Sequence, residues 1–77
     1  MNKKKSQEYC KAFGAHLRKL RLSKNIGMRQ FALMADMEYS QLSKIERGVT
    51  NPTLITVINL AEALEISHSK LFEFSFS

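Results

Sequence analysis

Turn-forming residues interrupt this 77-residue chain at four places and divide it into five segments of helical length. The interruptions lie at residues 25–27, 35–37, 48–52 and 65–67. Between them apolar residues recur every three or four positions, the spacing of one helix face, and none of the five segments alternates apolar and polar residues as a half-buried strand does. The pattern predicts an all-α fold of five helices joined by short turns.

The chain is long enough for one small domain, which excludes a large enzyme scaffold. We expect this domain to cover residues 6–73, between a flexible basic tail at residues 1–5 and a short aromatic tail at residues 74–77. Ser6 is the expected cap of the first helix. The predicted core consists of the apolar residues on the inner helix faces: Tyr9, Phe13, Leu17, Leu20, Phe31, Ala32, Ala35, Leu42, Ile45, Leu54, Val57, Ile58, Ala61, Leu64, Leu71 and Phe72.

Positive charge is concentrated in the first 50 residues, which hold 11 of the 12 Lys and Arg residues but only 4 of the 7 acids. Such an imbalance in a small domain indicates an anionic partner, with nucleic acid as the first interpretation and an acidic membrane surface as the second. No apolar run predicts a signal peptide or a membrane span, and the single cysteine, Cys10, cannot form an internal disulfide. We therefore expect a cytoplasmic protein.

Residues 28–47 contain two short helical segments separated by residues 36–38, a spacing that suits a helix-turn-helix. Leu42 and Ile45 set the inner face of the second segment. The side chains that this arrangement turns outward are polar or basic: Ser40, Ser43, Lys44 and Arg47, with Tyr39 and Gln41 at the sides. None of them is acidic, so this face suits a polyanion.

Several motifs occur in a fixed order along the chain: Phe31-Ala32, then LSKIERG at residues 42–48, then Pro52 at the start of the next helix. Together, over residues 13–72, they resemble the phage-repressor-like, XRE-type helix-turn-helix domain. The resemblance implies a lambda-repressor-like bundle of five helices, usually dimeric, that binds operator DNA and regulates transcription without enzymatic activity. The chain departs from the family at Gly27-Met28, where Thr-Gln is common and the glutamine contacts a phosphate and steadies the recognition helix. It departs again at Asp36, where glycine is usual but where aspartate tolerates left-handed geometry.

If the second helix of the motif enters the major groove by its N-terminal half, its residues reach base edges first. The residues predicted to contact bases are Tyr39, Ser40, Gln41, Ser43 and Lys44. Lys44, which can donate to guanine, and Ser40 rank first among them. The residues predicted to contact phosphates are Met28, Arg29, Gln30, Arg47, Thr50 and Asn51. The alternative for Lys44 and Ser40 is an ordinary solvated side chain.

The resemblance also suggests an ion pair between Arg21 and Glu46. The periodicity agrees, because Glu46 lies on the inner side of its helix beside Leu42, where a charge needs a partner. The alternative is a solvated charge at a helix end.

The C-terminal part of the chain holds apolar residues that a bundle of this size does not need for its core. They are Ile55, Leu60, Phe74 and Phe76. We interpret them as the interface of a homodimer across the fourth and fifth helices, which would place two recognition helices about 34 Å apart. The alternative is that the aromatic residues fold back on their own domain.

The leading functional prediction is a sequence-specific regulator of transcription that binds double-stranded DNA as a dimeric repressor. The alternative is a helical protein-interaction module, an antitoxin or adaptor, that binds a protein partner through the C-terminal aromatic residues. No cofactor or metal site is predicted, because His16 and His68 have no carboxylate or cysteine partners at metal spacing and no nucleophile lies beside a base. RNA binding lacks the paired surface aromatics that stack on bases.

Overall fold

The computed structural model describes residues 1–75, which form four α-helices and one 3-10 helix. In chain order these are α1 (Lys3–Ser23), α2 (Met28–Met34), α3 (Tyr39–Glu46), α4 (Leu54–Leu64) and the 3-10 helix (His68–Phe72). Residues 1–75 contain no strand, so the all-α prediction is confirmed.

The prediction of five α-helices is wrong by one helix. The last segment forms only a five-residue 3-10 helix, and Ser67 before it makes no side-chain capping bond. The Ser67 hydroxyl hydrogen-bonds instead to that of Ser69, at 3.2 Å. A segment of five residues is within the short length at which 3-10 helices occur.

The first helix begins earlier than predicted. Asn2 rather than Ser6 caps α1, and its side-chain oxygen accepts a hydrogen bond from the backbone N–H of Lys5 at 2.8 Å. Residues 3–5 therefore form the first turn of α1, and their assignment to a basic tail was wrong. Asparagine is among the strongest N-capping residues, and this signal outweighed that of Ser6.

The core agrees with the prediction at most positions, and Phe31, Leu17, Leu42, Ile45, Leu64 and Leu71 are among its fully buried side chains. Three predicted core residues are exposed instead: Tyr9, Leu54 and Phe72. All three line one apolar groove between α1, α4 and the 3-10 helix, so part of each side chain faces solvent. Conversely Leu60, predicted to lie on the surface, is completely buried.

Two glycines bring α1 into backbone contact with the C-terminal end of α3. A Cβ atom at Gly14 would overlap the backbone carbonyls of Ile45 and Glu46, and one at Gly48 would overlap the backbone of Lys11. Gly48 also follows the end of α3 with φ of +74°, a conformation that glycine adopts without strain. This close crossing fixes the position of α3 on the long first helix.

The turn between α2 and α3 contains one left-handed residue. Asp36 has φ of 56°, as expected for the residue that replaces the family's glycine. After this turn the N–H of Met37 donates to the carbonyl of Ala32 at 2.9 Å, which closes the end of α2. The turn is thus fixed by hydrogen bonds as well as by packing.

Candidate nucleic-acid interface

The outward face of α3 is polar and basic, as predicted. Leu42 and Ile45, on the inner side, are 0% and 1% exposed, and their burial fixes the rotation of the helix. The predicted base-contacting residues Tyr39, Ser40, Gln41 and Lys44 are exposed, and Ser43 is half-buried. The structure therefore brings all five onto one short helix whose inner side is fixed to the core.

Arg21 and Glu46 form a buried ion pair beneath this face, as predicted. The Arg21 Nε donates to Glu46 Oε2 at 2.7 Å and Nη2 donates to Oε1 at 2.9 Å, a bidentate arrangement. The remaining nitrogen, Nη1, donates to the carbonyl oxygen of Ile26 at 2.8 Å. The guanidinium thus links α1, the segment before α2 and the C-terminal end of α3.

The hydrogen bond with Glu46 raises the pKa of Arg21 above its ordinary value, and this effect exceeds the opposing effect of burial. Arginine is already protonated at every ordinary pH, so the pair keeps its positive member throughout the range in which proteins are studied. Among residues 1–75, no buried side-chain nitrogen or oxygen lacks a hydrogen-bond partner. The buried charges are therefore compensated, as a structural ion pair requires.

The first turns of α2 and α3 contact each other through two side chains. The Arg29 guanidinium carbon lies 4.7 Å from the centre of the Tyr39 ring, a cation–π distance. Arg29 was predicted to contact a phosphate and Tyr39 to contact a base, and their contact with each other had no signal in the sequence.

The other predicted phosphate contacts differ in accessibility. Gln30, Arg47 and Asn51 are exposed, and Thr50 is half-buried. Met28 is also half-buried and packs against the core, so its side chain does not replace the amide of the family's glutamine. Arg47 follows α3 directly, and its Nε donates to the hydroxyl of Ser43 at 3.2 Å.

The four residues predicted to form a dimer interface have different environments. Ile55 is 63% exposed, as an interface residue should be in a single chain, whereas Leu60 is fully buried and its assignment to the interface was wrong. In α4, Leu60 falls on the same face as Ala61 and Leu64, which helical spacing turns toward the core. Phe74 is half-buried and packs edge-on against Phe13, with ring centres 6.4 Å apart. Phe76 lies outside the described residues.

An apolar groove lies between α1, α4 and the 3-10 helix. Its volume is about 430 Å³, and it is lined by Tyr9, Cys10, Phe13, Asn51, Pro52, Leu54, Val57, Phe72 and Phe74. In residues 1–75 no cluster of three His, Cys, Asp or Glu side chains could hold a metal ion. None of the described helices is both long and apolar enough to cross a membrane.

The structure contains two short helices joined by a fixed turn, and the second helix presents a polar face to solvent above a buried ion pair. This arrangement defines a helix-turn-helix protein. Comparison with known sequences agrees: the family HTH_3, described as helix-turn-helix, matches residues 17–71. The chain is 36% identical over 61 residues to the uncharacterized HTH-type transcriptional regulator y4dJ of Sinorhizobium fredii, covering 79% of each chain. It is 33% identical to the control protein C.BamHI of Bacillus amyloliquefaciens, covering 82% of this chain and 79% of the relative.

Solved structures show the same fold. The restriction-modification controller protein C.AhdI from Aeromonas hydrophila superposes with a TM-score of 0.81 at 33% identity, covering 82% of this chain and 96% of that chain. The clp gene regulator ClgR from Corynebacterium glutamicum superposes with a TM-score of 0.79 at 27% identity, covering 82% and 67%. The chain belongs to the helix-turn-helix family, and it is a DNA-binding regulator of transcription.

Proposed function

We propose that the chain is a dimeric repressor that reads the major groove of its operator with residues 39–47. The observation that carries the proposal is the outward face of α3, which is exposed, free of acidic side chains and fixed from beneath by Leu42, Ile45 and the Arg21–Glu46 pair. A rigidly held recognition element loses little entropy when it binds, and this favours specificity.

Within this face we assign base recognition to exposed side chains along α3, from Ser40 in its first turn to Lys44 in its last turn. Lys44 donates to the O6 and N7 atoms of a guanine, while Ser40 and Gln41 supply further hydrogen bonds to base edges. Ser43 is half-buried and already accepts a hydrogen bond from Arg47, so we give it a secondary part.

Affinity for any sequence comes from contacts with phosphates. We assign these to the exposed side chains of Gln30, Arg47 and Asn51, to Arg29, and to Thr50 at the edge of the same surface. Met28 contributes only through its backbone N–H, because its side chain packs against the core. Each phosphate neutralised by an arginine adds to the salt dependence of binding.

In vitro selection of duplexes from a random pool tests the proposal. We expect enrichment of one sequence with two-fold symmetry, whose half-site centres lie about one helical turn, or 34 Å, apart. Recovery of sequences without any shared motif would contradict sequence-specific binding. Recovery of a single, unrepeated half-site would contradict the dimer alone.

We place the dimer interface on the apolar groove and on Ile55, which follows the groove residue Leu54 in α4. Leu54, Ile55 and Phe72 are 73%, 63% and 56% exposed, although each is large and apolar. Large apolar side chains left exposed on a small domain are typical of an interface. The relatives at 33% identity include two proteins named as control or controller proteins, and we propose that this chain has a comparable controlling role.

Ile55→Glu tests the interface without disturbing the core, because the side chain is mostly exposed. We expect sedimentation to give a dimer of about 17.6 kDa, twice the chain mass of 8.8 kDa, for the wild type and a monomer for the variant. Leu33→Glu is the matched control: Leu33 is 82% exposed but lies on α2, so it should leave the mass unchanged. A wild type that stays monomeric with and without DNA would contradict the dimer.

The exposed aromatic residues favour one second candidate, a protein-interaction module. Deleting residues 73–77 separates the two functions, because the deletion leaves α2 and α3 intact. Loss of a protein partner with DNA binding unchanged would favour the second candidate. For the leading candidate, we infer repression of transcription in the cytoplasm. When the selected site is placed across the promoter of a reporter gene, the protein should lower expression of that gene.

A further inference from the structure

We infer that Tyr39 is a positioning residue. Its ring holds the Arg29 guanidinium at the edge of the DNA major groove, where Arg29 donates to a phosphate. This inference rests on the proposed DNA binding and revises the part of Tyr39, which the sequence assigned to base contact. Arg29 and Tyr39 then act as a single unit that joins the first turns of α2 and α3.

The observation behind the inference is the stack of the two side chains in the absence of DNA. The guanidinium carbon lies 4.7 Å from the ring centre, so one face of the ring is already occupied. Among residues 1–75, the structure gives Arg29 no hydrogen bond and no ion pair, and both residues are exposed. The N–H groups of Arg29 therefore remain available while its position is restricted.

The residue types at this place supply the second argument. The Met28 side chain packs against the core and carries no hydrogen-bonding group, so it does not join the N-terminal ends of α2 and α3. A connection between the N-terminal ends of α2 and α3 is then left to the next residue, Arg29, and its partner on α3. Arginine suits this task because it stacks on an aromatic face and still presents several donors at its edge.

The placement of Arg29 favours phosphate as its ligand. The residue lies in the first turn of α2, the helix that crosses the DNA backbone in this motif, rather than on α3. An ordered arginine loses less conformational entropy on binding than a free one, so the ring increases affinity without contacting DNA through its occupied face.

Salt-dependent binding measurements on the selected duplex test the inference with four variants. Arg29→Ala should weaken binding about tenfold and lower the slope of log K against log salt by about 0.9, the value for one phosphate. Tyr39→Ala should weaken binding about threefold on every duplex alike, because the ring positions a phosphate donor. Tyr39→Phe keeps the stacking face and should bind as the wild type does, whereas the double variant Arg29→Ala/Tyr39→Ala should bind no more weakly than Arg29→Ala.

The results that overturn the inference differ from those that overturn DNA binding. If Tyr39→Ala changes the preferred base at one position, or if the two losses multiply in the double variant, Tyr39 does not act through Arg29. Equal binding by Tyr39→Ala and the wild type would also contradict the inference. A wild type that binds no duplex would instead contradict the proposed function. Thermal unfolding of each variant controls for folding, which we expect to be preserved because both side chains are exposed.

Discussion

At the scale of single residues, the Arg21–Glu46 pair connects the stability of the domain to the face of α3 that we propose binds DNA. Both side chains are at least 95% buried, and their bidentate hydrogen bonds connect α1 to the end of α3. A buried charge that loses its partner is costly, whereas an apolar pair of similar volume can replace both charges at little cost.

We therefore expect Arg21→Ala to lower the free energy of unfolding by about 3–5 kcal/mol, and Arg21→Met combined with Glu46→Leu to lower it much less. Urea unfolding followed by circular dichroism measures both. Lys70→Ala is a suitable control, because the Lys70 side chain is exposed and contacts Glu73 at 4.0 Å, while the backbone carbonyl that bonds to His16 is retained. An Arg21→Ala protein as stable as the wild type would contradict the buried pair.

A second prediction at this scale concerns Gly14, where α1 crosses the end of α3. An added methyl group would overlap the carbonyls of Ile45 and Glu46, so the helices must separate or bend. We expect Gly14→Ala to destabilise the domain by about 1–3 kcal/mol, as overpacking does.

Gly27→Ser is the contrasting substitution for Gly14→Ala. A Cβ at Gly27 would meet nothing within 4 Å, and serine caps helices slightly better than glycine. We expect thermal unfolding to show this variant as stable as the wild type or slightly more stable. Equal stability of Gly14→Ala and Gly27→Ser would contradict the close helix crossing.

The sequence predicted the ion pair and the left-handed Asp36 but not the Gly14 crossing or the Arg29–Tyr39 stack. The first two were implied by the family resemblance, and the helix periodicity agreed by placing the Glu46 charge on the inner side of its helix. The other two depend on which helices meet and at what distance. Neither helix periodicity nor residue type specifies that geometry for a single pair.

At the scale of the elements, side-chain capping distinguishes the starts of the last two helical segments. The Thr53 hydroxyl accepts a hydrogen bond from the N–H of Thr56 at 3.2 Å and starts α4, whereas Ser67 makes no such bond and is followed only by a 3-10 helix. Threonine and serine are both favourable N-cap residues. Only the structure distinguishes them, because the Ser67 hydroxyl bonds to Ser69 instead.

This difference predicts unequal effects of two similar substitutions. Thr53→Ala should lower the free energy of unfolding by about 1 kcal/mol, because the first turn of α4 loses its cap. Ser67→Ala removes no capping bond, so its effect should be smaller. Chemical denaturation of the two variants side by side gives the comparison, and a larger loss for Ser67→Ala would contradict the assignment.

The apolar spacing fixed the rotation of α3 correctly, since Leu42 and Ile45 are both buried. The same reasoning predicted that Leu54 is buried and that Leu60 is exposed, and both predictions were wrong. Helix α4 is apolar on most sides, so its pattern does not define a single inner face. Which side of α4 is exposed depends on how the helix packs in the tertiary structure, and its local sequence does not specify that packing.

At the scale of the whole molecule, the charge distribution suits the proposed contact with DNA. The first 50 residues contain α1, α2 and α3 and carry 11 of the 12 basic side chains. The apolar groove is lined mainly by α1, α4 and the 3-10 helix instead. The molecule therefore has a basic part and an apolar groove, which suit the proposed contact with DNA and the proposed dimer respectively.

The most direct test of the account compares Lys44→Ala and Arg47→Ala on the selected operator and on each of its single-base variants. We predict that Lys44→Ala loses discrimination at one base pair, by about 1–3 kcal/mol. Arg47→Ala should weaken binding to every duplex alike and lower the salt slope by about one unit. Lys70→Ala, with the same change in charge away from α3, serves as the control. If Lys44→Ala instead keeps the wild-type base preference at every position, α3 does not read the operator as proposed.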